Sequence, residues 1–209
     1  MNISLTDISK QQLRKPGFLS SSVVIGKDMI LLFKADKDVI LDNHNHPHVQ
    51  LGYCFRGDFD FDVEGDHYQV TKGHSYLLQS RVYHAAVATS DYYSMDIKVI
   101  VDTPYLPQKM SQNIFVRLEE NEQYLLTKTQ VGNCFVRKIT YQQPAAINIS
   151  INQERSQYII VSRTCFLRFG NFITDFLMEP MKIYLLNIDI AEFDIKVDRK
   201  DVEVLLIEY

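Results

Sequence analysis

The sequence predicts an all-β chain built from two similar β units. Three observations carry that reading: period-two alternation of apolar and polar residues, turn signals at short intervals, and a weak collinear repeat between the halves. In the segment GDFDFDVEG, Phe59, Phe61 and Val63 share one face of a strand and Asp58, Asp60 and Asp62 the other. Turns at Gly26-Lys27-Asp28, Arg56-Gly57-Asp58, Glu64-Gly65-Asp66, Lys72-Gly73 and Ser90-Asp91 cut the runs rich in Val, Ile, Phe and Tyr into pieces of strand length. Little room remains for helix. The one expected is a short helix within residues 1–15, capped by Thr6 or Asp7 ahead of Pro16.

Residues 102–112, DTPYLPQKMSQ, hold two of the six prolines and no strand pattern, which marks a linker near the midpoint. Sliding the halves over one another by 106 to 108 residues pairs Gly26 with Gly132, HVQLGYCFRG with RSQYIIVSRT, and HSYLLQSRVYH with KIYLLNIDIAE. Gln50 then falls on Gln157 and Tyr76 on Tyr184. Duplication of a unit of roughly 100 residues explains these ordered matches, and the expected domains are 1–104 and 105–209.

Charge and cysteine usage exclude several classes of function. A net charge of −4, from 22 basic and 26 acidic residues without long like-charge runs, leaves no footprint for nucleic acid or an anionic membrane. Cys54, Cys134 and Cys165 are odd in number and lack C-x-x-C spacing, so neither a disulfide framework nor a thiolate cluster is expected. No segment is apolar enough for a signal or a membrane span. A cytoplasmic protein with a small-molecule partner is the expectation, and exposed strand edges leave a homodimer open.

All six histidines fall between His44 and His84, and the second half has none. On a strand, side chains at i and i+2 point to the same face, so His44 and His46 can converge on one ion. Imidazole suits Zn, Fe, Co, Ni, Cu and, less strongly, Mn. The pair sits in a longer string: His44-x-His46, three residues, Gln50, six residues, Gly57. A second string follows: Gly73, five residues, Gln79, one residue, Arg81, two residues, His84.

These strings resemble the two motifs of the cupin superfamily, G-x5-H-x-H-x3-E-x6-G and G-x5-P-x-G-x2-H. Gln50 stands for the glutamate, and Gln79 and Arg81 stand for the proline and the second glycine. The resemblance implies two tandem cupin barrels of the double-stranded β-helix or jelly-roll kind. It makes His44, His46, Gln50 and His84 the ligands of one divalent transition metal. HNHPHVQLG followed by SMDIKV looks most like the metal-dependent bicupin isomerases of bacilysin biosynthesis and the polyketide cyclases of cupin type, mainly over residues 40 to 100. In the second half the repeat puts Ile151, Gln153, Gln157 and Glu192 at the ligand positions, a poor set for a transition metal, so that barrel is expected to be degenerate.

Three imidazoles and an amide leave a divalent ion its full charge, where the usual glutamate would halve it. Such a site favours an anionic substrate and stabilises an enolate, which fits an isomerase or cyclase of a biosynthetic pathway. The alternatives are a cupin dioxygenase and a non-catalytic binding or sensing cupin. Gln50 cannot accept a proton, so His48 is the nearest candidate base. Gly52, two residues past Gln50 on the inner face, is expected to leave space for substrate. Arg56, Arg81 and Lys98 are candidates to pair with a substrate carboxylate, and Tyr53, Tyr83 and Tyr93 are candidate lining residues.

Overall fold

The alternation of apolar and polar residues becomes two pairs of antiparallel sheets in this computed structural model, which describes residues 3–101, 108–169, 175–189 and 191–209. Among the described residues there is no helix, and so none long and apolar enough to cross a membrane.

One unit spans Lys10–Ile114. Its seven-stranded sheet runs in the order Met110–Gln112, Ser75–Leu78, Val49–Arg56, Tyr92–Val99, Asp28–Ala35, Phe18–Ile25, Lys10–Lys15. A four-stranded sheet, in the order Ile40–His44, His84–Ala88, Asp58–Val63, Asp66–Thr71, completes the barrel. The apolar face read from GDFDFDVEG is the inner one: Phe59, Phe61 and Val63 are buried in the core with Phe33, Tyr76 and Tyr92. Phe59 stacks on Tyr92 at 4.4 Å between ring centroids, and Phe61 meets Tyr76 at 5.1 Å. Aromatic pairs at such separations stabilise the core beyond the area they bury.

The second unit, residues 1–9 with 115–209, repeats that plan. Its large sheet runs Ile3–Asp7, Tyr184–Ile188, Gln157–Val161, Val202–Glu208, Cys134–Tyr141, Tyr124–Val131, Val116–Glu120. Its small sheet runs Ala145–Ser150, Glu192–Val197, Cys165–Phe169, Phe176–Met178. The strand order matches seat for seat, as a duplicated unit requires, and both units are jelly-roll barrels.

Three expectations are corrected at the edges. The helix expected within residues 1–15 is instead two strands, Ile3–Asp7 and Lys10–Lys15. Local capping signals lose here to pairing: the first strand lies along Tyr184–Ile188, with Leu5 packed on the second unit's core, and the other lies along Phe18–Ile25. The division expected at 104/105 falls at 114/115, and residues 1–9 join the second unit. The expected linker 102–112 lies partly outside the described residues, at 102–107, and its end is the strand Met110–Gln112 paired with Ser75–Leu78.

Met110–Gln112 and Ile3–Asp7 thus fill equivalent seats. Deleting residues 1–9 is expected to speed amide hydrogen exchange across Tyr184–Ile188 by roughly tenfold or more, because one side of that strand loses its partner. Mass spectrometry would read it, with Asp58–Val63 as the unchanged reference.

Candidate metal centre

Two strand ends and one loop bring the histidines together. His44 closes the strand Ile40–His44 and His84 opens His84–Ala88, and the two residues are cross-strand partners beside a register shift. Such irregularities re-aim side chains. His46 is not on that strand but in the loop after it, where the backbone N–H of Arg81 donates to its carbonyl at 2.7 Å. Convergence therefore comes from a held loop rather than from alternation along one strand. Arg81 does this at a positive φ of 62°, which explains the glycine of the cupin pattern there; Asp38, where the first motif opens, likewise has φ 68°.

One ligating nitrogen from each of His44, His46 and His84 lies within 4.8 Å of the others. Each ring uses Nδ1–H on a backbone carbonyl: His44 on Asp42 at 2.8 Å, His46 on His48 at 3.0 Å, His84 on Val82 at 3.0 Å. A carbonyl only accepts, so in His44 and His84 the proton sits on Nδ1 and Nε2 is left bare, the state in which imidazole binds a metal, whereas His46 meets an acceptor at each nitrogen, the His48 carbonyl and Gln50 Oε1. Burial, with the Lys98 charge, holds His46 down at about 4; burial, with His44 and Lys98, does the same for His84. Both are neutral near pH 7.

Gln50 is oriented with equal definition. Its amide Nε2 donates to the Tyr76 hydroxyl and to Asp96 Oδ2, each at 3.0 Å, and Tyr76 donates to Asp96 Oδ1 at 2.8 Å. Both amide protons are spent on that side, so Oε1 faces the histidines, 2.9 Å from His46 Nε2. A ring nitrogen and an amide oxygen at that separation share either a proton or a cation. The donor set, three imidazole nitrogens and one amide oxygen, fits a divalent transition metal.

A cavity of about 480 Å³ opens beside these groups. Phe18, Leu31, Phe33, Phe59 and Phe61 form its apolar wall, His44, Gln50 and His84 one polar side, and Tyr76, Asp96 and Lys98 continue that side. Arg14 and Lys15 also line it; Arg14 Nε donates to Ser20 Oγ at 2.9 Å and Lys15 Nζ to the Ile40 carbonyl.

The structure redistributes the other expected site residues. At Gly52 an added Cβ would fall inside the Tyr76 ring, so the missing side chain makes room for Tyr76 and not for substrate. Arg56 and Arg81 are exposed and absent from the cavity lining, and of the three basic candidates Lys98 alone faces the cavity. His48 turns its Nε2–H to the Lys27 carbonyl at 3.0 Å, and its own carbonyl orients His46. It positions a ligand rather than lining the cavity as a base. Tyr53 and Tyr93 lie on the opposite sheet face from Gln50 and Asp96, and Tyr83 is exposed.

In the second unit the register puts Ser150, not Ile151, opposite Glu192, and Ser150 Oγ donates to Glu192 at 3.4 Å. Ile159 and Leu206 stand where the first barrel has Gly52 and Asp96. Gln157 spends its amide on the Asn152 and Arg155 carbonyls. Among the described residues of this unit no cluster repeats the centre.

Two measurements check this geometry. Gly52→Ala is expected to destabilise the protein by about 1–3 kcal/mol in urea unfolding, since the Tyr76 ring must move. Burial pushes the Asp96 carboxyl up from 3.8 to about 6, against the lowering effects of Lys98, Tyr76 and Gln50. The folded state therefore holds this proton more tightly than the unfolded state, and stability from this group falls as pH rises between roughly 4 and 6. In the metal-free protein, the stability of Asp96→Asn relative to the unaltered chain should be higher at pH 7 than at pH 4 by on the order of 2–3 kcal/mol. A difference that does not change with pH would contradict the burial.

Comparison with known proteins places this geometry in context. The family model described as "Cupin domain" matches residues 33–100. No curated protein matches the chain in sequence. Among solved structures, the pirin YhhW from Escherichia coli in complex with nickel(II) is similar at a TM-score of 0.72 and 14% identity, over 99% of this chain and 98% of that one. AerE from Microcystis aeruginosa is similar at 0.70 and 11%, over 97% of each. Quercetin 2,3-dioxygenase from Acinetobacter baumannii is similar at 0.72 and 11%, over 98% of this chain and 78% of that one. At these identities the likeness is one of fold.

Proposed function

We propose that this chain, a bicupin in fold with a cupin domain over residues 33–100, is a metal-dependent enzyme that isomerises or cyclises a small anionic molecule. The observation that carries the reading is the neutral donor set: one nitrogen from each of His44, His46 and His84 gathered within 4.8 Å, beside the Gln50 Oε1 that Tyr76 and Asp96 orient. A divalent cation held by His44, His46, His84 and Gln50 would supply Lewis acidity undiminished by a carboxylate ligand, able to stabilise negative charge on a substrate oxygen.

The chain's own residues do the rest. Tyr76 and Asp96 keep the Gln50 oxygen turned towards the histidines, and the phenylalanine wall excludes water from an apolar substrate body. Proton transfer falls to groups that line the cavity, because His48 does not. Three histidines with one oxygen donor also suit a dioxygenase, and oxygen uptake during turnover would favour that reading instead. The nickel(II) in the YhhW complex makes nickel a natural first ion to test.

Elemental analysis of protein purified without a tag or chelator, or reconstituted with nickel(II), is expected to find about one equivalent of transition metal, lost in His44→Ala and His84→Ala. Asp96→Asn should keep the metal but bind it roughly 10–100-fold more weakly, because the amide loses its orienting carboxylate. No uptake by the unaltered protein would overturn the catalytic reading and leave a binding cupin.

A further inference from the structure

The second unit holds a cavity of its own, about 750 Å³, between the loop 151–157 and the strand Tyr184–Ile188. Gln157 lines it and is only 3% exposed. The Gln157 amide Nε2 donates to the Asn152 carbonyl at 3.0 Å and to the Arg155 carbonyl at 3.2 Å, so both of its protons are committed to the loop. Its Oε1 is buried and has no hydrogen-bond partner among the described residues. Turning the amide over gives no relief, because the oxygen would then face two carbonyls. Buried acceptors are nearly always paired, and this one belongs to a side chain that lines a cavity, so a donor entering there completes it. One ordered water would serve the oxygen alone, but its share of volume is roughly 30 Å³ and the cavity is many times larger.

Charge decides which kind of donor fits. Glu154, on the loop, and Asp189, just past the strand, are the acids among the lining residues, and Arg155 is the one base. The Arg155 guanidinium lies 4.5 Å over the Phe135 ring and donates to the Asn133 carbonyl at 2.6 Å. A surplus of carboxylate beside a buried oxygen acceptor favours a cation that carries N–H groups over an anion. A bare metal ion fits less well, since no group of three imidazole, thiolate or carboxylate ligands gathers among the described residues of this unit.

We infer that this cavity is a binding site for a small organic ammonium ion: Gln157 Oε1 accepts one N–H, and Glu154 and Asp189 balance the charge. The inference concerns the second unit alone and does not rest on the metal-dependent reading.

Titration of the metal-free protein with putrescine, followed by nuclear magnetic resonance, tests this, because the backbone amides of residues 153–157 and 185–189 report the place as well as the affinity. Putrescine at millimolar concentration should shift those amides, equally in the unaltered chain and in His44→Ala. Butanediol, of the same length without charge, should not. The permethylated diamine keeps both charges but has no N–H, and should bind about tenfold or more weakly than putrescine, the loss expected for a charged hydrogen bond. In Gln157→Leu that preference should disappear, even where a loosened loop weakens both ligands. Glu154→Gln and Asp189→Asn should each weaken putrescine binding by about two- to fivefold, as exposed ion pairs do. Absence of shifts at residues 153–157 and 185–189 would overturn the inference, as would equal binding of putrescine and its permethylated form by the unaltered protein, or equal binding of butanediol.

Discussion

The centre depends on the orientation of one amide. A glutamine presents an acceptor and a donor at nearly the same place, and turned the other way Gln50 would offer N–H groups to the histidines and repel a cation. The buried Asp96 carboxylate prevents this, because it can accept from Nε2 but would clash electrostatically with Oε1. Tyr76 reinforces the choice by accepting from the amide and donating to Asp96. The tyrosine ring reaches that position only because residue 52 has no side chain. A missing Cβ, a phenol and a buried carboxylate act as one device, whose output is a single oxygen facing three nitrogens.

The second barrel shows what the same frame looks like without that device. Its sheets carry the same strand order, and a glutamine and a tyrosine occupy the corresponding seats, Gln157 and Tyr184. With Ile159 in place of Gly52 and Leu206 in place of Asp96, however, the interior closes with aliphatic carbon. Burying a carboxylate is unfavourable and aliphatic packing is favourable, so stability alone selects the second solution. The first barrel keeps the costly arrangement, which is the pattern expected where a site and not the fold determines the residues.

Much of the candidate site was legible because spacing is local. His44, His46, Gln50 and His84 stand in two short strings, and turn glycines and alternating aspartates fix the strands around them. Asp96 and Tyr76 were not identified as site residues, since their roles arise from pairing among three strands distant in sequence. A signal was present all the same: Asp96 is a lone carboxylate between Met95 and Ile97 in a strand whose only other polar side chains besides its tyrosines are Ser94 and Lys98, and such a residue is buried only with partners. Gly52 was misread for a related reason. Sequence shows that a side chain is missing but not which neighbour occupies the space. The N-terminal strands were missed because Thr6 and Asp7 carry helix-start chemistry, whereas the pairing that overrides it comes from residues 184–188.

The two halves of the site also constrain each other through charge. Replacing the usual glutamate by Gln50 raises the positive charge at the ligand end, and Lys98 on the adjacent strand raises it again. Around the cavity Arg14, Lys15 and Lys98 stand against Asp42 and Asp96, so the lining is positive before any ion is counted. Positive charge in a partly apolar cavity favours an anionic ligand under the proposed reading. On this argument the glutamine is not a weakened glutamate. Under the proposed reading it leaves room, electrostatically, for negative charge on a bound molecule.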